Sequence, residues 1–188
     1  DWDLIPLLRM RKKLGKITIF EANDFFFDLQ PWNPIARSWQ DPEIQELYMQ
    51  LLRLSDGVQT STAYLAEQWR SMGASKVEVF PNQLVHLRAL PEIVERPFTV
   101  GWAGSPGHFA DLYHVAPYLQ NWLNAHPDTH LAIMTNELAR EFFHLDPSRF
   151  HFRPFGSIES YLDFLGSIDV GIAPLLPTQY NKGRSDVK

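Results

Sequence analysis

Residues 98–108 read Phe98-Thr99-Val100-Gly101-Trp102-Ala103-Gly104-Ser105-Pro106-Gly107-His108, and this stretch decides the fold that the sequence predicts. Its first half is rich in β-branched and aromatic residues, which favour a strand. A glycine-rich turn follows, and residues 111–125 then have the apolar spacing of a helix. A strand, a tight turn and a helix in this order are typical of a parallel α/β unit, in which ligands bind beyond the carboxyl ends of the strands.

The same alternation extends along the chain in both directions. We predict strands at 17–20, 57–61, 76–80, 98–102, 131–134, 150–153 and 169–173, and helices at 43–54, 62–72, 111–125, 137–144 and 158–165. Strands that alternate with helices form parallel βαβ units. Residues 86–97 contain two prolines and no strand pattern, so we predict a linker there. The expected fold class is α/β, with two incomplete Rossmann-like domains at 1–90 and 91–188.

Composition excludes several classes of function. The chain has 188 residues, a formal net charge of −5 and 45% hydrophobic residues, which is globular and too acidic for non-specific nucleic-acid binding. Without cysteine it has no disulfide, thiolate zinc site or cysteine nucleophile. The seven histidines show no metal-ligand spacing, and no Gly-x-Ser-x-Gly motif supports a hydrolase. We find no signal peptide and no apolar run long enough to span a bilayer, so we expect a cytoplasmic protein.

The glycine-rich turn is the first candidate site. Gly104, Ser105 and Gly107 let backbone approach a ligand closely, and the following helix offers free amides to a phosphate. His108 is the histidine that lies in this turn, although a surface histidine is the simpler interpretation. The spacing matches neither G-x-G-x-x-G nor the P-loop, and Pro106 removes one amide. A purely structural strand-to-helix turn therefore stays open.

Two further loops carry candidate residues. Lys182, Arg184 and Lys188 lie in a run with glycine and serine after the last strand, a combination that binds diphosphates; a solvated loop is the alternative. Asp24 follows the strand at 17–20, where sites form in parallel sheets, although a turn or helix cap explains such residues more often.

The amino-terminal region holds a concentration of positive charge. Residues 9–16 contain five cations, and leucines and isoleucine lie among and before them. This pattern fits a basic amphipathic helix on an anionic membrane. An ordinary helix that packs its apolar side against the sheet fits as well, with the cations near its carboxyl-terminal dipole.

The order of these motifs resembles group 1 (family 4) glycosyltransferases. The stretches 19–24, 55–62 and 79–82 are similar to the end of their acceptor domain. Residues 100–108 with Asp111-Leu112 are similar to the opening of the donor domain, and 167–175 with 181–188 to the entry of its phosphate region. The resemblance covers the chain from about residue 14 and is greatest to the bacterial members that build surface polysaccharide or glycosylate cell-surface components.

The resemblance implies a GT-B architecture, in which two Rossmann-like domains face a cleft. Residues 1–90 are then the last part of the acceptor domain, and 91–188 the first part of the donor domain. The implied enzyme transfers a sugar from a nucleotide-sugar to a glycan, lipid-linked or protein acceptor, with retention of configuration and without a metal or other cofactor. It places Gly104 and Ser105 at the donor phosphates, Phe155 and Gly156 at the nucleobase, and Arg184 and Lys188 at the diphosphate.

The resemblance also sets expectations about completeness. The family's donor-sugar glutamate falls beyond Lys188, and the opening strands of the acceptor domain precede Asp1, so we expect a piece of a longer protein that alone lacks catalytic groups. Asp24 is the one acceptor-side residue that we name. A non-catalytic glycosyltransferase-like binding module and a sugar-nucleotide epimerase remain alternatives. A dinucleotide dehydrogenase ranks lowest because the glycine spacing is wrong.

Overall fold

The computed structural model describes residues 2–83 and 95–185. The chain divides into two compact units: one is Asp1–Val85 with Pro177–Lys188, and the other is His86–Leu176. The predicted linker at 86–97 and the predicted domain boundary at 90/91 fall mostly outside the described residues. The carboxyl-terminal segment, predicted within the second domain, belongs to the first compact unit.

The first unit is a three-stranded parallel sheet with helices. Its elements are α1 (Leu4–Lys13), β1 (Ile19–Glu21), a 3-10 helix (Phe26–Asp28), α2 (Ala36–Trp39), α3 (Pro42–Leu54), β2 (Gly57–Thr60), α4 (Ala63–Ser71) and β3 (Val77–Val79). The strands lie in the order β1-β2-β3, and both pairings are parallel.

Local sequence explains the boundaries of the two longer helices that follow β1. Asp41 caps α3, because its carboxylate accepts a hydrogen bond of 2.9 Å from the Glu43 amide, and Pro42 begins the first turn. Thr62 caps α4 by accepting from the Leu65 amide at 3.2 Å. Gly73 follows α4 with φ of +98°, a conformation that glycine adopts readily.

The second unit is a four-stranded parallel sheet. Its elements are β4 (Thr99–Ala103), a 3-10 helix (Pro106–His108), α5 (Phe109–Ala125), β5 (His130–Thr135), a second 3-10 helix (Glu137–Phe142), β6 (Phe150–Pro154), α6 (Ile158–Leu165) and β7 (Val170–Gly171). The strand order is β6-β5-β4-β7, all parallel. A last short helix, α7 (Gln179–Lys182), belongs to the first unit.

Each unit has its own apolar core. In the first, Trp69 of α4 is fully buried and its indole N–H donates to the Ala22 carbonyl at 2.9 Å, which fixes the loop after β1. In the second, Trp102 of β4 packs with the fully buried residues Leu112, Leu131 and Ile133. Burial of aromatic and aliphatic side chains of this size is the main stabilising contribution in each unit.

The fold class is confirmed: the protein is α/β, with two Rossmann-like parallel sheets. The predicted strands and most helices lie where the apolar pattern placed them. Residues 137–142 form a 3-10 helix where we predicted an α-helix over 137–144. Ile5 is the one residue of α1 that is buried, and the helix contacts α3. No helix among the described residues combines the length and the apolar character needed to cross a bilayer.

Candidate functional site

The second sheet has a change of winding direction at β4. From β4 the chain moves outward to β5 and then β6, and it returns to the opposite side of β4 with β7. The loops that leave β4 and β7 therefore diverge at the carboxyl edge of the sheet. In open α/β sheets this switch point is where ligands bind. The glycine-rich turn that the sequence singled out is the loop leaving β4.

Both the backbone amide and the backbone carbonyl of Gly104 form hydrogen bonds with β5. Its amide donates to the Met134 carbonyl at 3.2 Å, and its carbonyl accepts from the Thr135 hydroxyl. A side chain at this position would put its Cβ 2.5 Å from the buried ring of Trp102. Gly104 is therefore required for packing, and its own amide is already engaged with β5.

The next residues of the turn are more accessible. Ser105 is exposed and extended, and Pro106–His108 form a 3-10 turn in which the Ser105 carbonyl accepts from the His108 amide at 2.9 Å. Gly107 is half-buried. The 17-residue helix α5 starts directly afterwards, so its positive dipole end lies beside the turn. This part of the predicted site is placed where a phosphate could approach.

His108 is not a surface histidine. It is 5% exposed, and its Nδ1 lies 2.7 Å from Oδ2 of Asp111, which is 4% exposed. The other oxygen of Asp111 accepts from the Leu176 amide at 2.8 Å, in the loop that leaves β7. Asp111 thus ties together the two loops of the switch point. The sequence signal for it was an acidic residue three positions after His108 in the first turn of a helix, a spacing at which side chains meet.

Phe155 and Gly156 lie at the end of β6, one of the two outer strands of the sheet. Phe155 is exposed, and Gly156 passes so close to α6 that a Cβ there would lie 2.8 Å from the Cβ of Ser160. Strand β5 separates β6 from β4. Phe155 thus offers an exposed ring at the same carboxyl edge as the turn at Gly104.

The predicted cations of the carboxyl-terminal run lie in the first unit. Arg184 donates to Oδ1 of Asp24 at 2.7 Å, and the two side chains are 30% and 32% exposed. Arg184 also donates to the Tyr180 hydroxyl at 3.2 Å. Lys182 is exposed on α7, and Lys188 lies outside the described residues. The structure therefore brings together two predicted site residues, Arg184 and Asp24, as an ion pair.

The segment 179–185 lies across the carboxyl edge of the first sheet. Asp24 in the loop after β1 pairs with Arg184, as described above. After β2, the Thr62 hydroxyl donates to the Gly183 carbonyl at 3.4 Å, and after β3 the Asn82 side chain donates to the Ser185 hydroxyl at 2.9 Å. The segment therefore contacts the loops that follow all three strands, so its described residues do not form a freely solvated loop.

Two buried groups allow that close contact. Gly183 is buried, and a Cβ there would lie 2.8 Å from a methyl group of Leu65, which is fully buried. Tyr180 packs with Leu29 and Ala36 in a small apolar cluster. Burial, and to a smaller extent the negative charge of Asp24, raises the pKa of Tyr48 above its ordinary value. The Tyr48 phenol therefore stays neutral. The sequence alone could not show how Tyr180 and Gly183 pack, because Leu29, Ala36 and Leu65 are more than 100 residues away.

Comparisons of the sequence and of the structure with known proteins found a weakly similar solved structure. No protein-family model matches the sequence, and no curated protein matches it. Among solved structures, the chain is similar to the "Glycosylation Associate Protein (Gap123) complex from Streptococcus agalactiae", at 13% identity and a TM-score of 0.41. The alignment covers 76% of this chain and 32% of that one, so this chain spans about a third of that chain's length. The strand order and the parallel pairings by themselves show the α/β fold class.

Metal-ligating side chains do not gather at either edge. Within residues 2–83 and 95–185, no three histidine or carboxylate side chains come close enough to hold a metal ion together. The chemistry available at the second edge is therefore that of backbone amides, a helix dipole, the Ser105 hydroxyl and the His108–Asp111 pair.

Proposed function

We propose that this protein is a glycosyltransferase that binds the diphosphate of a nucleotide-sugar at the carboxyl edge of its second sheet. One observation carries the proposal: the strand order β6-β5-β4-β7 puts the glycine-rich turn at the switch point of a parallel sheet. The sequence resemblance described above supplies the class of reaction.

The residues of this edge have separate roles in the proposal. Ser105 and the turn 105–107 face the donor phosphates, aided by the positive end of α5. Asp111 holds His108 and the loop after β7 in place. Phe155 offers an exposed aromatic surface for the nucleobase. No metal is required, because oriented amides and a helix dipole stabilise the charge that develops on the leaving diphosphate.

The proposed reaction exchanges one bond at the anomeric carbon for another. The bond from that carbon to the diphosphate oxygen breaks, a bond to an acceptor hydroxyl oxygen forms, and the hydroxyl proton passes to an acceptor-side base as the nucleoside diphosphate departs. Retention of configuration rests on the resemblance. The acceptor is a glycan, a lipid-linked glycan or a protein, and use of a nucleotide-sugar puts the reaction on the cytoplasmic side of the inner membrane.

A non-catalytic binding module is the second candidate, and the Arg184–Asp24 ion pair favours it. This pair uses the one acceptor-side carboxylate that we named and one of the predicted diphosphate ligands. A transferase in this conformation would need another acceptor-side base. The two candidates share the nucleotide site and differ in turnover.

Binding is tested first, with the full-length protein and UDP, GDP, ADP, CMP or NAD in thermal-shift experiments without added metal. A ligand at about 100 times its dissociation constant adds roughly 2.7 kcal/mol to the free energy of unfolding. Ser105→Glu puts a negative charge where the phosphates are proposed, and Ser75→Glu adds the same charge at an exposed position of the first unit. We expect stabilisation by one nucleoside diphosphate that is lost in Ser105→Glu and kept in Ser75→Glu.

Turnover is tested next, with the nucleotide-sugar of the base identified by binding. Release of nucleoside diphosphate that depends on an added acceptor supports the transferase. Binding without turnover supports the module, and a changed sugar without acceptor supports an epimerase. Stabilisation by NAD alone, or equal binding by Ser105→Glu and wild type, contradicts the proposed site.

A further inference from the structure

Helix α1 presents an apolar row that nothing among the described residues covers. Ile5 is buried and anchors the helix in the first unit. The side chains at a spacing of three or four residues on another side of the helix are exposed, and the row continues beyond its end. Its members are between 42% and 72% exposed and are Leu4, Leu7, Met10, Leu14 and Ile17. Side chains at this spacing form one stripe of a helix.

The charge around this row is strongly positive. Residues 9–16 contain five of the chain's 17 lysines and arginines and no acidic residue. The other 12 lysines and arginines and all 22 acidic residues lie in the rest of the chain. Arg9, Lys12, Lys13 and Lys16 are exposed. A chain with a net charge of −5 therefore carries a cluster of positive charge in the same segment as its exposed apolar row.

The local backbone holds the row and the cations in one rigid arrangement. Gly15, with φ of +65°, ends the helix in a Schellman motif: the Lys16 amide donates to the Arg11 carbonyl at 2.9 Å, and the Gly15 amide to the Lys12 carbonyl at 3.1 Å. The Arg11 side chain then donates to the Ile17 carbonyl at 2.9 Å. Residue 17 is thereby fixed against the last turn of α1.

We propose that α1, with residues 14–17, is a docking surface for an anionic lipid bilayer. Exposed leucine, methionine and isoleucine side chains enter the boundary between headgroups and acyl chains, and the surrounding lysines and Arg9 contact lipid phosphates. Long basic side chains keep their charge in the headgroup layer while their stems cover apolar surface. The charge of the surface selects an anionic bilayer over a neutral one, and a two-fold contact with a second copy would place the same basic segments against each other.

The test is co-sedimentation of the full-length protein with vesicles of phosphatidylcholine alone or of phosphatidylcholine and phosphatidylglycerol at 7:3. We expect binding to the anionic vesicles, weakened by salt because charges near a surface are screened. The triple variant Lys12→Gln/Lys13→Gln/Lys16→Gln should reduce the partition coefficient by at least about tenfold, since each cation near the surface contributes roughly fivefold. The triple variant Leu7→Ser/Met10→Ser/Leu14→Ser should also reduce binding by at least about tenfold.

Matched control variants distinguish binding through this surface from non-specific adsorption to vesicles. Arg37→Gln/Lys76→Gln/Arg153→Gln removes three exposed cations elsewhere, and Tyr113→Ser/Tyr118→Ser/Leu138→Ser removes three exposed apolar side chains of the second unit. Both should bind anionic vesicles like wild type. Equal binding to neutral and anionic vesicles, no binding, or equal loss in test and control variants overturns the proposal. Self-association that the Leu7→Ser/Met10→Ser/Leu14→Ser variant abolishes, measured by sedimentation velocity, would instead assign the row to a second copy.

Discussion

The carboxyl edges of the two sheets are built by different parts of the chain, although both sheets are parallel. At the second edge, a glycine-rich turn of adjacent residues crosses the end of β4, and Asp111 ties it to the loop after β7. At the first edge, the residues that cross the strand ends come from the carboxyl-terminal segment 179–185. Each crossing depends on a glycine that approaches a buried side chain: Gly104 at Trp102, and Gly183 at Leu65.

The difference shows that the carboxyl edge of a parallel sheet can be formed either by local turns or by a segment from a distant part of the chain. Local turns form such an edge directly, because the residues that face each other are neighbours in the chain. The first edge instead needs a segment more than 100 residues distant, held by one ion pair, several hydrogen bonds and Tyr180. We therefore expect substitutions at the second edge to disturb a core, and substitutions at the first edge to release a segment.

The largest effect is expected from Gly104→Val. Its Cβ would lie 2.5 Å from the Trp102 ring, which is buried and rigid, so the second unit must repack. Overpacking of this kind costs about 3 kcal/mol. Chemical denaturation should show that loss, whereas Gly171→Ala, whose Cβ would meet Ile168 at an ordinary 3.8 Å, should unfold like wild type.

Trp102→Phe in the Gly104→Val background sharpens this result. If the collision with the Trp102 indole causes the loss in free energy of unfolding, the smaller phenyl group should recover part of it. The double-mutant cycle should then give a coupling energy of about 0.5–3 kcal/mol. Strict additivity would mean that the turn is strained for another reason. Because Gly104→Val disturbs folding, its loss of ligand binding would not identify a phosphate site, and Ser105→Glu is the better probe.

A smaller effect is expected from Gly183→Val at the first edge. The new side chain collides with Leu65, but the segment 179–185 can move away from α4 and relieve the contact. The cost is then limited to the contacts of the segment, about 1–2 kcal/mol. Hydrogen exchange should show lost protection in 179–185, with Thr60 and the strands unchanged. Lys182→Ala, an exposed neighbour, should keep the wild-type pattern.

Exchange that rises across the whole first unit in Gly183→Val would contradict this view. It would mean that the segment belongs to the core of the unit and is not a separable cover of its edge. The same measurement on Gly104→Val should show faster exchange in β4, which leads into the turn, and in β5, whose Met134 and Thr135 form hydrogen bonds with Gly104.

The sequence predicted most of the fold because the deciding signals are local. Strands such as 98–102 have short apolar runs, and caps such as Thr62 and stops such as Gly73 mark helix ends within a few residues. The short helix α7 was missed, because four residues carry too little periodicity to be recognised.

The site was less predictable because its pairings are long-range or depend on burial. The sequence placed His108 in the turn but could not show that it is buried and paired with Asp111, whose other oxygen accepts from the Leu176 amide. It identified Arg184 and Asp24 separately, and their contact across 160 positions follows from tertiary structure alone. The assignment of Ser105, Phe155, Lys182 and Lys188 to a donor site stays a prediction.

The Arg184–Asp24 pair should contribute less than either glycine. Both side chains are about one-third exposed, and solvent screens such pairs, so Arg184→Met or Asp24→Asn should each cost about 0.5–1 kcal/mol. A double-mutant cycle in low salt measures the coupling, which should shrink as salt rises. A tenfold loss of nucleoside-diphosphate affinity in Arg184→Met, without the same loss in Asp24→Asn, would show that Arg184 binds ligand as well as holding the segment.

The smallest effect concerns the opposite, amino edge of the second sheet, where β5 and β6 begin. Nδ1 of His130 lies 2.8 Å from Nε2 of His151. Burial first, and then the positive charges of His151 and Arg149, lower the pKa of His130 below its ordinary value. The unfolded chain therefore binds the proton more readily, so the free energy of unfolding falls as pH drops through about 6.5 and levels off below the folded-state pKa.

His151→Gln should move the pKa of His130 back toward its ordinary value, which NMR titration of the histidine resonances measures directly. The variant should also lose less stability than wild type between pH 7.5 and pH 5, because it has one repulsive partner fewer. A nucleoside diphosphate should shift the His108 resonance at the carboxyl edge and leave His130 and His151 unmoved. Equal shifts at both edges would mean that the ligand changes the whole sheet, and would contradict the proposal that it binds at the carboxyl edge alone.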